Sequence, residues 1–158
     1  MSRAQPLLRS LSARGLRFGI VVARYNTQFT DAMLAAAIDT FAKAGARPEQ
    51  IRIIRVPGSF EVPVVVSQLA AGGKFDALLA LGVILRGETT HADLIAAAIT
   101  HRLSEIAVRE GVPVIHEVLL LNKTRQAQAR CLGKKHNRGA EAARSAIEMA
   151  QVMRQLNR

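Results

Sequence analysis

The chain has 158 residues, a formal net charge of +10 and a single cysteine. That length bounds one domain, large enough to bury a core without covalent staples. The lone Cys131 rules out an internal disulfide framework or a multi-cysteine metal site and fits a reducing, cytoplasmic compartment. No apolar run nears the ~20 residues of a membrane span, and the lack of Trp argues against a base-stacking nucleic-acid platform.

The chain opens on MSRAQPLLRSLSARG, which carries Arg3, Arg9 and Arg14 and no acid. Its apolar content is too thin for a secretory core, so residues 1–14 read as a flexible or partner-docked arm and 15–158 as a single domain. RFGIVVA (17–23) is a β-branched, apolar run that predicts a strand. FTDAMLAAAIDTFAKAG (29–45) has helical spacing, with Thr30 as N-cap and Gly45 as the stop. IRIIRV (51–56) predicts a second strand, ended by Pro57-Gly58, and 61–73 a helix with Pro63 in its first turn. DALLALGVI (76–84) is a strand apolar on both faces, and 91–110 a helix with Ile95, Ile99, Leu103 and Ile106 in one stripe. VPVIHEVLL (112–120) is the fourth strand. Helices over 122–132 and 139–156 close the chain around LGKKHNRG. Lys123 to Arg138 is rich in Lys and Arg and holds no acid.

Strands alternating with helices define an α/β fold with a parallel sheet. Ligands in such sheets bind beyond the carboxyl ends of the strands. That rule selects Arg24 to Asn26, Pro57 to Glu61, Arg86 to His91 and His116 to Leu121. The loop RGETT before His91 is polar where a helix start offers free N–H groups to an anion. No glycine-rich nucleotide fingerprint, P-loop or H-E-x-x-H motif is present. Taken singly, His91 reads as a helix-start residue, Glu61 as a helix cap, Tyr25 as a rim residue and Arg130 as one surface arginine among many.

Taken together and in order, RFGIVVARYN, RVPGSFEVP, ALGVILRGETTHADLI and AEAARSAIEMA, with one Arg in the helix before the last, resemble the lumazine synthase family of riboflavin biosynthesis. The resemblance runs from about residue 15 to the end. It implies a flavodoxin-like three-layer α/β/α sandwich with a four-stranded parallel sheet. It also implies condensation of 5-amino-6-ribitylaminouracil with 3,4-dihydroxy-2-butanone 4-phosphate, releasing phosphate and water, with no cofactor and no metal. The family's sites lie between neighbours of a homo-pentamer, and some members build a hollow shell of twelve pentamers.

By the same resemblance Tyr25 stacks on the pyrimidine, and Ser59, Phe60 and Glu61 hold the ring and ribityl chain. Val83, Ile84 and Leu85 contact the uracil, while Glu88 and Thr89 form the phosphate turn. His91 is the general acid/base, His116 stands where a neighbour contributes an aromatic ring, and Arg130 is the phosphate-binding arginine. The residue types suit that chemistry. Histidine shuttles protons near neutral pH, and an arginine with loop amides stabilises a leaving phosphate.

Three departures stand out. His116-Glu117 replaces the common Phe-Gly. Glu88 replaces a small residue, and its side chain is expected to turn toward Arg86 or another cation. The turn LGKKHNRG differs from the glycine-rich turn of shell-forming members. The rival readings are a non-catalytic lumazine- or flavin-binding member of the fold, on account of His116, and a basic assembly that associates with nucleic acid, on account of the charge.

Overall fold

The computed structural model describes residues 11–158. Four strands, β1 (Phe18–Ala23), β2 (Ile51–Val56), β3 (Ala77–Leu85) and β4 (Val114–Leu121), form one all-parallel sheet in the order β2-β1-β3-β4. Five helices, α1 (Thr27–Lys43), α2 (Val62–Ala71), α3 (His91–Glu110), α4 (Thr124–Cys131) and α5 (Arg138–Leu156), cover its two faces. The expected alternation is observed, and helix and strand limits fall within a few residues of the sequence reading. No helix among the described residues is long and apolar enough to cross a membrane.

Strand alternation divides the core. Phe18, Ile20 and Val22 face one way, where they pack with Leu79, Leu81 and the inner faces of α1, α4 and α5. Val21 and Ala23 face the other way and join Leu78, Ala80 and the apolar stripes of α2 and α3. Both central strands are therefore apolar on both faces, as a doubly covered sheet requires. The Phe18 and Phe41 rings stack at 4.2 Å between centroids and tie β1 to α1. The edge strand β2 departs from this pattern: Arg52, Ile53 and Arg55 stand exposed.

Two details correct the sequence reading, and a third concerns the N-terminal arm. Helix α1 starts at Thr27, with Asn26 rather than Thr30 as N-cap, and Thr30 is fully buried in the first turn. A 3₁₀ turn over Ser59–Glu61 precedes α2. Residues 1–10 of the expected arm lie outside the described residues, but 11–14 pack on the domain. Ala13 is buried and its N–H donates to the Ala44 carbonyl at 2.8 Å, while the buried Gln50 amide donates to the Leu16 carbonyl at 2.6 Å.

Helices α1 and α5 cross at very close range. A Cβ on Gly139 would sit 1.9 Å from the Met33 carbonyl oxygen, so only glycine lets the two backbones approach this closely.

Candidate active site

From β1 the chain passes to β2 on one side and then to β3 on the other. This makes the crevice beyond the C-terminal ends of β1 and β3 the switch point of the sheet, where α/β folds bind ligands. Asn26 shapes that crevice. It is the one non-glycine residue with positive φ among those described, at 60°, a conformation Asn tolerates better than most. Its side-chain amide donates to the Val83 carbonyl at 2.7 Å, fastening the β1 loop to the end of β3. Ladder pairing continues past β2, with Arg24 N–H on the Val56 carbonyl and Tyr25 N–H on the Pro57 carbonyl.

This backbone stands Tyr25 against Gly58, where an added Cβ would lie 2.9 Å from Tyr25 Cδ2. Glu61 reaches back to accept the Gly58 N–H on Oε2 at 2.9 Å. One carboxylate oxygen thus caps the 3₁₀ turn, and Oε1 accepts no hydrogen bond from the described residues. Buried Ser59 sits over Gly82, whose added Cβ would lie 2.6 Å from Ser59 Oγ. Six aromatic side chains occur in the chain. Only Tyr25 and Phe60, at 71% and 62% exposure, stand out as exposed rings. Both lie at strand ends. Beside Phe60 an open groove of about 580 Å³ runs between α2 and α3, lined by Val64, Ile99, Arg102 and Arg109. Another, of about 590 Å³, lies between α1 and α5 on the opposite layer, and His91 and Tyr25 line neither.

His91 is the first residue of the 20-residue α3, exposed, beneath the loop of Gly87, Glu88, Thr89 and Thr90. Thr90, the N-cap, makes no side-chain cap; the His91 N–H donates to Thr89 Oγ1 at 3.4 Å, and the Ala92 and Asp93 N–H groups find no partner among the described residues at the positive end of a long helix. Arg86 does not turn to Glu88, as the sequence suggested. Its guanidinium binds Asp93 through both Nε and Nη2 and Asn122 Oδ1 through Nη1, while its N–H donates to the Leu121 carbonyl. One side chain thereby joins the end of β3, the first turn of α3 and the end of β4. Asp93, the only acid in that first turn, is paired with Arg86.

His116 and Arg130 lie elsewhere in the protomer. His116 pairs with Ala80 in mid-sheet, and its ring contacts Thr100 of α3. Thr100 is nine residues along the helix from His91, about 13.5 Å of rise. Arg130 occupies the last turn of α4, on the other layer. Glu117, next to His116, points to the opposite face, as strand alternation demands. It is buried and accepts from Arg138 Nε at 3.0 Å. Burial raises its pKa, and the Arg138 charge offsets only part of that rise. Burial, with the charge of Glu117, pushes the Cys131 thiol up to about 11, which leaves it inert. Among the described residues no group of three or more His, Cys, Asp and Glu is placed to hold a metal ion.

The family model described as 6,7-dimethyl-8-ribityllumazine synthase matches residues 15–154. A protein of that name from Thermococcus onnurineus is 44% identical over 90% of this chain and 91% of its own. One from Thermococcus gammatolerans is 42% identical over 90% and 91%, and one from Desulfatibacillum aliphaticivorans 38% identical over 92% and 94%. This chain belongs to the 6,7-dimethyl-8-ribityllumazine synthase family.

Within that family frame, one protomer gathers Tyr25, Ser59, Glu61 and Val83 at the switch point, and Thr89 with His91 at the start of α3. It does not bring His116 or Arg130 to them. Sequence reasoning selected Asn26 with the β1 loop but missed its bond to Val83, and it missed Gly82 and the Arg86–Asp93–Asn122 clamp. Asn26 had a faint signal, an Asn between a strand and a helix. The clamp had none, because its partners lie 7 and 36 positions from Arg86.

Proposed function

We infer that this lumazine synthase family member catalyses the condensation of 5-amino-6-ribitylaminouracil with 3,4-dihydroxy-2-butanone 4-phosphate to 6,7-dimethyl-8-ribityllumazine, with release of phosphate and water. It acts as a transferase of riboflavin biosynthesis. Family membership supports the reaction. The observation that carries the placement of the site is the exposed Tyr25 ring on Gly58 at the β1/β3 switch point.

In this reading Tyr25 offers a flat face to the pyrimidine, and Ser59, Phe60 and the second oxygen of Glu61 hold the ring and ribityl hydroxyls. Val83, Ile84 and Leu85 contribute strand-end backbone to the uracil edge. The turn of Glu88 and Thr89 and the free amides of α3 hold the phosphate, joined by Arg130 of a neighbour. The substrate amine attacks the ketone, and His91 moves protons as water leaves, phosphate is eliminated and the ring closes. His116 of a neighbour covers the pyrimidine.

The separation of His91 from His116 and Arg130 supports a site shared between copies, and hence the homo-pentamer or shell of pentamers of the family. An inert, buried Cys131 suits a cytoplasmic enzyme. Mixing the purified protein with both substrates tests the reaction through the fluorescence of the lumazine product. A rate no greater than the uncatalysed condensation refutes it. Light scattering tests the assembly, and a monomeric mass at full activity refutes the shared site.

A further inference from the structure

Both nitrogens of the His116 imidazole are engaged within the protomer. The Val118 N–H donates to Nδ1 at 3.1 Å, so Nδ1 carries no proton. In the neutral ring the proton then lies on Nε2, which faces Thr100 Oγ1 at 2.7 Å and donates to it. A proton added to Nδ1 would confront the Val118 N–H and forfeit its bond. The ring is half-buried between β4 and α3, and Thr100 is the α3 side chain that fixes its outer nitrogen. Glu117 is engaged on the other face of the sheet with Arg138, so no carboxylate from that residue balances an imidazolium here.

We propose that Thr100 and the Val118 amide lock His116 as a neutral, Nε2-protonated ring, so that it acts as an uncharged aromatic face toward the pyrimidine and not as a proton donor, with Thr100 as its positioning residue. Burial, which lowers the pKa of His116, acts in the same direction. The two ring nitrogens spend their polar capacity inside the protomer, and only the π face is left for a ligand. A histidine thereby does the work of the phenyl ring that its position would otherwise hold. The inference rests on the reading that His116 covers the pyrimidine.

The test compares wild type, Thr100→Val, Thr100→Ser, His116→Phe and His116→Ala. In ¹⁵N NMR of imidazole-labelled wild type at neutral pH, His116 should show a protonated Nε2 and an unprotonated Nδ1. The opposite tautomer, an averaged pair or an imidazolium overturns the lock, whatever the enzyme's activity. Kinetically, Thr100→Val keeps the β-branched shape on the exposed face of α3 but removes the hydroxyl. The pyrimidine KM should rise about three- to tenfold, the scale of one neutral hydrogen bond. The KM of the phosphorylated substrate and the melting temperature should hold, and Thr100→Ser should recover the wild-type value. Equal rises in both KM values, a fall in melting temperature or failure of Thr100→Ser to recover would assign Thr100 a merely structural role. If His116→Phe and His116→Ala leave the pyrimidine KM unchanged, the ring does not cover the pyrimidine. If wild type lacks lumazine-forming activity, the functional reading fails and the NMR result still decides the lock.

Discussion

Gly139→Ala is a severe test of the packing described above. The new Cβ would meet the Met33 carbonyl oxygen at 1.9 Å, its carbon at 2.5 Å and Met33 Cα at 2.6 Å. All three are backbone atoms of a helix and cannot rotate away. Restoring an ordinary contact near 3.4 Å requires α1 and α5 to part by about 1.5 Å at this point. Overpacking of this kind costs about 1–3 kcal/mol, and a rigid backbone obstacle places the cost at the upper end. Exchanging Gly for Ala in a helix returns up to about 1 kcal/mol, less near a helix start, so a net loss of about 2–3 kcal/mol is expected. With a urea m-value of about 2 kcal/mol per molar, the unfolding midpoint should fall by about 1–1.5 M. The measurement needs equal protein concentrations, because assembly adds to apparent stability. A midpoint within about 0.3 M of wild type would show that the crossing relaxes freely and that the close approach is not required.

His91→Ala should fold normally, since the side chain is exposed, and should lose about 10²–10⁴-fold in kcat; an unchanged kcat in a correctly assembled variant removes His91 from the mechanism. Arg130→Ala should raise KM for the phosphorylated substrate about ten- to hundredfold, from the loss of charge-assisted hydrogen bonds, and barely move the pyrimidine; equal effects on both would contradict a phosphate role. Arg86→Ala unfastens the α3 start from β3 and β4 and should lower kcat with a smaller change in melting temperature, and activity should partly return when guanidinium ion is supplied; full activity without rescue would show the clamp to be dispensable. For Glu117 the folded-state pKa is raised by burial, so the unfolded chain gives up its proton first as pH climbs past about 4.5. The stabilisation is present at lower pH and is lost as pH rises through the folded value. Glu117→Gln should remove that loss, leaving a protein whose stability, followed by urea titration, falls less than wild type between acid and neutral pH; parallel pH profiles would refute the assignment.

What the sequence made legible was set by local rules. DALLALGVI read as a strand apolar on both faces, which suits a doubly covered sheet, and the pattern from Gly82 to His91 placed a polar loop and a histidine at the start of α3. What stayed hidden depends on distance or on unusual backbone. Thr30 looked like the cap because its side chain suits that role, whereas Asn26 reverses the chain in a left-handed conformation and spends its amide on Val83. Arg86 looked free to face Glu88 because nothing in the sequence brings Asp93 and Asn122 to it together. Glu61 was read as either a cap or a ligand, and the geometry spends one oxygen on the Gly58 cap and leaves the other without a hydrogen bond from the described residues. The neutral tautomer of His116 follows from a backbone amide two residues on and a threonine sixteen residues back, neither of which carries a sequence signal.

The length of α3 between His91 and Thr100 has a genetic consequence. If each site takes its acid/base from one copy and its ring cover and phosphate arginine from the next, a lesion inactivates a junction and not a subunit. Two inactive forms, one altered at His91 and one at Arg130, should then repair each other when co-assembled. Around a head-to-tail ring made from equal amounts of both, roughly one junction in four draws both contributions from intact sources. Two alleles that are each null should therefore complement in one cell, whereas two lesions carried by the same half-site never should.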